Sequence, residues 1–175
     1  MRIIVETDRE LLHAGDLTVP CAIGRSGACG AANKREGDGC TPLGAWPVRA
    51  ALLRPAAGFV QPPGVPWRWL RASDGWSDDP VDPCYNRPVR HPHAFSAERM
   101  WRDDACYDAV IILGHNDNPP VAPLGSAIFL HLKGCGATEG CVAVSRETMA
   151  ALLSAFVQGS VVDIRRDIGD AASVG

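Results

Sequence analysis

Apolar and polar positions alternate along this chain in short stretches, and few of those stretches are long enough for a helix. RIIVE (Arg2 to Glu6) and LTVPCAI (Leu17 to Ile23) read as strands, the second bounded by Gly24. Ala45 to Leu53 reads as a strand entered through a Pro-Gly turn in TPLG. YDAVIILG (Tyr107 to Gly114) and SAIFLHL (Ser126 to Leu132) are continuous apolar runs, the pattern of buried strands. VAVS extends a strand to Ser145. From there Met149, Leu152, Leu153 and Phe156 recur at i, i+3, i+4, i+7, which predicts a helix capped by Ser145 and stopped at Gly159. SVVDIR is a last strand. SAERMW (Ser96 to Trp101) predicts one or two helical turns capped by Ser96. The expectation is a mainly β domain with minor α content.

Residues 54–106 interrupt this pattern with many prolines and with Trp67, Trp69, Trp76 and Tyr85. Aromatic side chains at that density find something to pack on. The segment is therefore expected to be a structured insertion or lid within a single domain spanning 1–175. Eighteen glycines and 14 prolines in 175 residues favour loops and strands over a helical bundle.

Composition narrows the function classes. The net charge is -3 and no long basic run appears, so nucleic-acid binding has little support. No stretch approaches the roughly 20 apolar residues of a membrane span. The N-terminal MRIIVETDRELLH does not have the form of a signal peptide, because Glu6 and Asp8 follow three apolar residues at once. The seven cysteines include no CxxC pair, and their spacing does not match structural zinc. No metal and no cofactor are expected, and buried free thiols are the plain expectation for most of the cysteines. The histidines His91 and His93 lack an evident third ligand. NKREGDG (Asn33 to Gly39) reads as a solvated turn.

The chemistry concentrates at TEGCV. A cysteine nucleophile needs a base, backbone N–H donors for an oxyanion, and a backbone able to turn sharply. Gly140 suits the turn and, with Cys141, offers the donors. His131 ends an apolar strand ten residues earlier, and the KGCGATE loop between them has two glycines with which to reverse direction. Spacing alone leaves His131 open as base or as a satisfied structural histidine. Cys135 is either a partner for Cys141 in a regulatory disulfide or an unpaired loop thiol.

TPLG at 41–44, the strand ending in His131, and TEGCV at 138–142 stand in the order that resembles the L,D-transpeptidase catalytic domain, the YkuD family. The resemblance implies a YkuD-like β-sandwich or barrel with a helix after the cysteine. It implies a cysteine acyl-transferase that forms a thioester with meso-diaminopimelate of a peptidoglycan stem peptide and passes it to an amine, without a cofactor. Carried over, Cys141 is the nucleophile, His131 its base, Gly140 and Cys141 the oxyanion donors, and Thr138 the family's Ser/Thr position. A cell-envelope or periplasmic location follows from the family, while the visible N-terminus leaves the cytoplasm open.

Three departures stand out. Glu139 replaces the histidine that usually precedes Gly-Cys, so it is expected to point away from the thiol or to meet a cation such as a substrate ammonium. The His131–Cys141 loop is short, and Ala143 stands where Asn or Arg is common. A non-standard acceptor, such as the N-terminal L-alanine of a second stem, is one consequence. The alternatives are carboxypeptidase or endopeptidase action on muropeptides, or a cell-wall peptide-binding module. Tyr85, Asn86 and Arg87, in a loop rich in arginine, are candidate substrate contacts because arginine binds carboxylates bidentately. His115 and Asn116 either contact substrate or cap a proline-ended turn.

Overall fold

The computed structural model describes residues 1–134 and 136–169. Thirteen strands and one α-helix make a mainly β protein. The strands are β1 (Arg2–Glu6), β2 (Leu11–Ala14), β3 (Leu17–Pro20), β4 (Ala28–Gly30), β5 (Thr41–Leu53), β6 (Trp67–Trp69), β7 (Asp74–Ser77), β8 (Pro88–Arg90), β9 (Ala97–Arg99), β10 (Ala109–Leu113), β11 (Phe129–Leu132), β12 (Val142–Val144) and β13 (Val161–Arg165). Helix α1 spans Arg146–Ala155.

The main sheet runs β12-β11-β10-β5-β13-β1-β2-β3, with β4 and β6 also pairing with β5. β5 is 13 residues long and serves as the spine: its second half pairs with β10 and β6, its first half with β13 and β4. The two ends of the sheet meet. Just past β3, the Ala22 N–H donates to the Ala143 carbonyl, and the Ala143 N–H donates back to Ala22, both at 2.8 Å. That bridge nearly closes the sheet into a barrel and satisfies backbone groups that an open edge would leave unpaired.

Side chains alternate across the sheet, and both faces are covered. On one face Leu53, Ile111, Leu130 and Val142 pack with Met149, Leu152, Leu153 and Phe156, the apolar stripe of α1. On the other, Leu52, Val110, Phe129 and Cys141 pack with Leu70, Trp76, Met100 and Tyr107. The second set comes largely from the aromatic segment between β5 and β10. This segment builds its own three-stranded sheet, β8-β7-β9.

Two local expectations are corrected. SAERMW forms strand β9, not a helical turn, because Ala97, Glu98 and Arg99 pair with Ser77, Trp76 and Gly75 of β7. Cross-strand bonds override a weak local cap signal. TPLG makes no turn either: Pro42 and Gly44 lie inside β5, where Pro42 pairs with Cys29 and Gly44 with Ile164. Strand β2, hairpinned to β3, was not apparent from periodicity.

At α1 the Ser145 Oγ accepts the Thr148 N–H at 3.2 Å. Ser145→Ala is expected to cost about 1 kcal/mol, read as a lower urea midpoint with an unchanged m-value.

Candidate functional site

The parallel pairing of β11 with β12 sets His131 beside Ala143 and Leu130 beside Val142. By strand alternation, Phe129, His131, Cys141 and Ala143 share one face of the sheet. It is the face covered by the aromatic segment, and His131 and Cys141 line one cavity of about 540 Å³ there.

The nucleophile candidate is held by its backbone. Gly140 has φ +131°, and a Cβ there would lie 2.9 Å from the Cys40 carbonyl oxygen, so only glycine brings the loop this close to the start of β5. Two threonine hydroxyls converge on the Cys141 carbonyl: Thr138 Oγ1 donates at 2.6 Å and Thr41 Oγ1 at 3.4 Å. Each hydroxyl also accepts a backbone N–H, Thr138 from Gly140 at 3.1 Å and Thr41 from Gly24 at 2.8 Å. The Gly140 N–H is thus engaged within its own loop. In this geometry it is not aimed at the cavity as an oxyanion donor.

Cys141 is buried, at 7% exposure. Its S–H donates to the Ala127 carbonyl at 3.1 Å, and it accepts the Phe129 N–H at 3.4 Å. Burial pushes the thiol up to about 12, and the Glu98 carboxylate adds to the rise. The Phe129 N–H and the charge of Lys34 act the other way. At rest the sulfur is therefore a thiol.

His131 Nδ1 lies 2.8 Å from the Leu132 carbonyl oxygen. A carbonyl only accepts, so Nδ1 carries the proton and the neutral ring keeps its lone pair on Nε2. Burial lowers the imidazole below its usual range, which keeps it neutral and ready to accept a proton. The Tyr107 ring meets His131 edge-on at 5.1 Å, and the Tyr107 hydroxyl donates to Glu98 Oε1 at 2.6 Å. Burial raises the Glu98 carboxyl above its ordinary value. Arg102 lies 3.8 Å from the same carboxylate. Glu36, Asp78, Asp104 and Glu139 also line the cavity, so carboxylates outnumber the one guanidinium.

The other candidates divide. Thr138 and Glu139 line the cavity. Glu139 does meet a cation, but it is Arg25, at 2.8 Å, and that contact lowers its carboxyl. Tyr85 is buried behind the cavity wall, where its hydroxyl donates to Glu36 at 2.5 Å. Asn86 is buried and fully used: its Oδ1 accepts from Trp76 Nε1 and from the Ala127 N–H, and its Nδ2 donates to the carbonyls of His115 and Asn116. Asn86 and Arg87 line a separate, more apolar cavity of about 440 Å³, where Arg87 donates to the Asp117 carbonyl. His115 is buried, its Nε2–H donating to Leu124 at 3.0 Å. The Asn116 side chain binds the backbone of Val121 and Gly125, the turn-capping alternative. The structure therefore does not bring Tyr85, Asn86, Arg87, His115 or Asn116 to the lining of the cavity of Cys141.

Sequence reasoning missed several neighbours. Lys34, expected in a solvated turn, is 2% exposed. Glu98 on β9, with Arg102 and Tyr107 between β9 and β10, also lines the cavity, and no spacing marks these three. Cys29 and Cys40 form a disulfide with Cα atoms 6.0 Å apart, where free thiols were expected. Cys21 and Cys141 are buried free thiols, and Cys84 is an exposed one. Cys135 lies outside the described residues. Cys29, Asp38 and Cys40 are the one group of potential metal ligands among the described residues, and its two sulfurs are taken by the disulfide. No helix among the described residues is long and apolar enough to cross a membrane.

The family model of the L,D-transpeptidase catalytic domain, YkuD, matches residues 1–164. Neither the curated proteins nor the solved structures yield a match.

Thr138→Val removes the hydroxyl shared by Gly140 and Cys141. It is expected to destabilise by about 1–3 kcal/mol in urea unfolding, whereas Thr138→Ser retains the bonds and most of the stability. The raised thiol also sets a pH dependence. The folded protein holds the Cys141 proton more tightly than the unfolded chain, so that stability is present below pH 9 and is lost as pH rises toward about 12. Thermal midpoints of wild type should fall more steeply over that alkaline range than those of Cys141→Ala.

Proposed function

The chain belongs to the L,D-transpeptidase catalytic-domain family, and from that premise we propose that it is a cysteine acyl-transferase acting on peptidoglycan stem peptides. The observation that carries this reading is the joint placement of Cys141 and His131 on one cavity, with the His131 tautomer fixed by Leu132 so that Nε2 is the basic nitrogen.

The steps follow from these groups. His131 Nε2 takes the Sγ proton as the thiolate attacks the carbonyl at the L-centre of meso-diaminopimelate. The tetrahedral intermediate collapses to a thioester. The D-residue leaves as an amine, taking the proton from His131. An acceptor amine then gives a proton to Nε2, attacks the thioester, and releases the sulfur, which recovers the proton. Desolvation holds the thiol protonated before substrate binds, so proton transfer is tied to the bound complex and no free thiolate persists to be oxidised. Carboxylates around the cavity favour an ammonium-bearing acceptor approaching the thioester. Both a diaminopimelate side-chain amine and the N-terminal amine of L-alanine meet that description, and water in place of the amine gives carboxypeptidase action. The Cys29–Cys40 disulfide supports a cell-envelope location, because such bonds persist in oxidising compartments.

A peptide-binding module is the second reading, favoured by the burial and hydrogen bonding of the thiol. The two part on activity. Incubated with purified muropeptides, wild type is expected to form cross-links and Cys141→Ala none, with the circular dichroism of the fold retained. His131→Ala should lower the rate by about two to four orders of magnitude, and less at high pH, where the thiolate forms unaided. Because burial lowers the imidazole below its usual 6.5, the acid limb of the wild-type profile should lie below that pH. Undiminished cross-linking by Cys141→Ala would end the acyl-transferase reading.

A further inference from the structure

A lysine ammonium is among the groups least often found in a protein interior without a role or a partner. Lys34 is 2% exposed. Its Nζ donates to the Asp38 carboxylate and to the Arg35 carbonyl, the latter at 3.2 Å. Asp38 is itself fixed by the N–H groups of Arg35 and Cys40, at 2.7 and 2.9 Å. The disulfide from Cys40 to Cys29 ties this turn to β4. The turn is therefore a rigid mount for one positive charge.

The mount points at the sulfur's supports. A Cβ at Gly125 would meet the Lys34 Cγ at 2.8 Å and Cε at 3.0 Å. A Cβ at Gly140 would meet Nζ at 3.4 Å, besides the clash with the Cys40 carbonyl. Both glycines have positive φ, +91° and +131°. Gly125 stands two residues before Ala127, whose carbonyl accepts the Cys141 S–H, and Gly140 directly precedes Cys141. The lysine stem thus lies between the two chain segments that hold the sulfur, in a slot that both glycines leave open.

We propose that Lys34 is a positioning residue of this site: its ammonium, mounted by Asp38 and the disulfide-bonded turn, holds the Gly125 and Gly140 segments about Cys141 and stabilises the thiolate when it forms. The proposal rests on the reading of Cys141 as nucleophile. The charge has something to offset. Glu98 on β9 lines the same cavity and disfavours a second negative charge, Tyr107 before β10 is neutral, and His131 on β11 becomes cationic only by taking the proton. Glu36, Asp78, Asp104 and Glu139 add carboxylates around the cavity against Arg102. Of the Lys34–Asp38 pair, it is the ammonium whose charge reaches the sulfur, and it lowers the thiol's pKa.

The test is the pH dependence of iodoacetamide alkylation, followed at Cys141 by peptide mass mapping, with the exposed thiol Cys84 as internal reference. Wild type, Lys34→Met and the double variant Lys34→Met/Asp38→Asn are compared. The double variant leaves no buried carboxylate unpaired and so keeps the test alive if the single variant fails to fold. The expected result is that removing the ammonium raises the alkylation midpoint of Cys141 by about one pH unit, a rate loss of about tenfold near neutral pH, with Cys84 unchanged. A folded variant with the wild-type midpoint overturns the role of Lys34. The nucleophile reading itself is tested separately: wild type that forms neither cross-links nor a thioester on Cys141 with purified muropeptides would sink it, whatever the alkylation midpoint.

Discussion

The central strands β10, β11 and β12 and the end of β5, residues 51–53, are buried on both faces, and the site depends on that. A strand covered on one side alternates apolar and polar residues, but these carry apolar side chains in succession: Leu52 and Leu53, Val110 and Ile111, Phe129 and Leu130, Cys141 and Val142. Helix α1 takes one member of each pair and the aromatic segment takes the other. Cys141 consequently sits under Trp76, Met100 and Tyr107, in a dry layer, and not on an open sheet. The segment that interrupts the strand pattern creates the low-dielectric environment in which the thiol and the imidazole are both held neutral.

That environment is costly for charge, and the charged groups that remain are arranged around the thiol. Glu98 receives the Tyr107 hydroxyl and lies near Arg102. Glu139, which replaces the histidine before Gly-Cys, pairs with Arg25 at the exposed rim. Lys34 is a buried cation beside Gly125 and Gly140, held by Asp38. Backbone geometry completes the arrangement. Thr41 and Thr138 bind the Cys141 carbonyl from β5 and from the preceding loop, so the spine of the sheet and the loop fix one conformation together.

The order of TPLG, His131 and TEGCV, together with the run-length pattern of apolar residues, was enough to bring out a mainly β domain, the capped helix α1 and the two residues that share the cavity. These are local signals: a serine before an i, i+3, i+4, i+7 stripe, and a glycine ahead of a cysteine. They survive because the local preference and the tertiary contacts agree. Where they disagree the tertiary contacts win. SAERMW has a helix cap but pairs as β9, and TPLG has turn residues but lies inside β5, because ladder hydrogen bonds along a whole strand outweigh a preference of a few residues.

Side-chain roles in loops were decided only by the folded chain. Asn86, His115 and Asn116 have the chemistry of substrate contacts, yet Asn86 and Asn116 are bound by neighbouring protein groups, His115 is buried with its Nε2–H on the Leu124 carbonyl, and Arg87 opens on the second cavity. Lys34 has the chemistry of a solvated turn, yet it is interior. The sequence by itself determined the family, the strand-rich architecture and the choice of Cys141 and His131 as the candidate pair, since each depends on residue type and order along the chain. The tertiary structure decided which carboxylates surround the thiol, which cation lies beside Gly125 and Gly140 and which cysteines are joined. The carboxylates and the cation come from segments far apart in the chain, as Gly140 approaches Cys40 from 100 residues away, and no spacing along the chain encodes that approach.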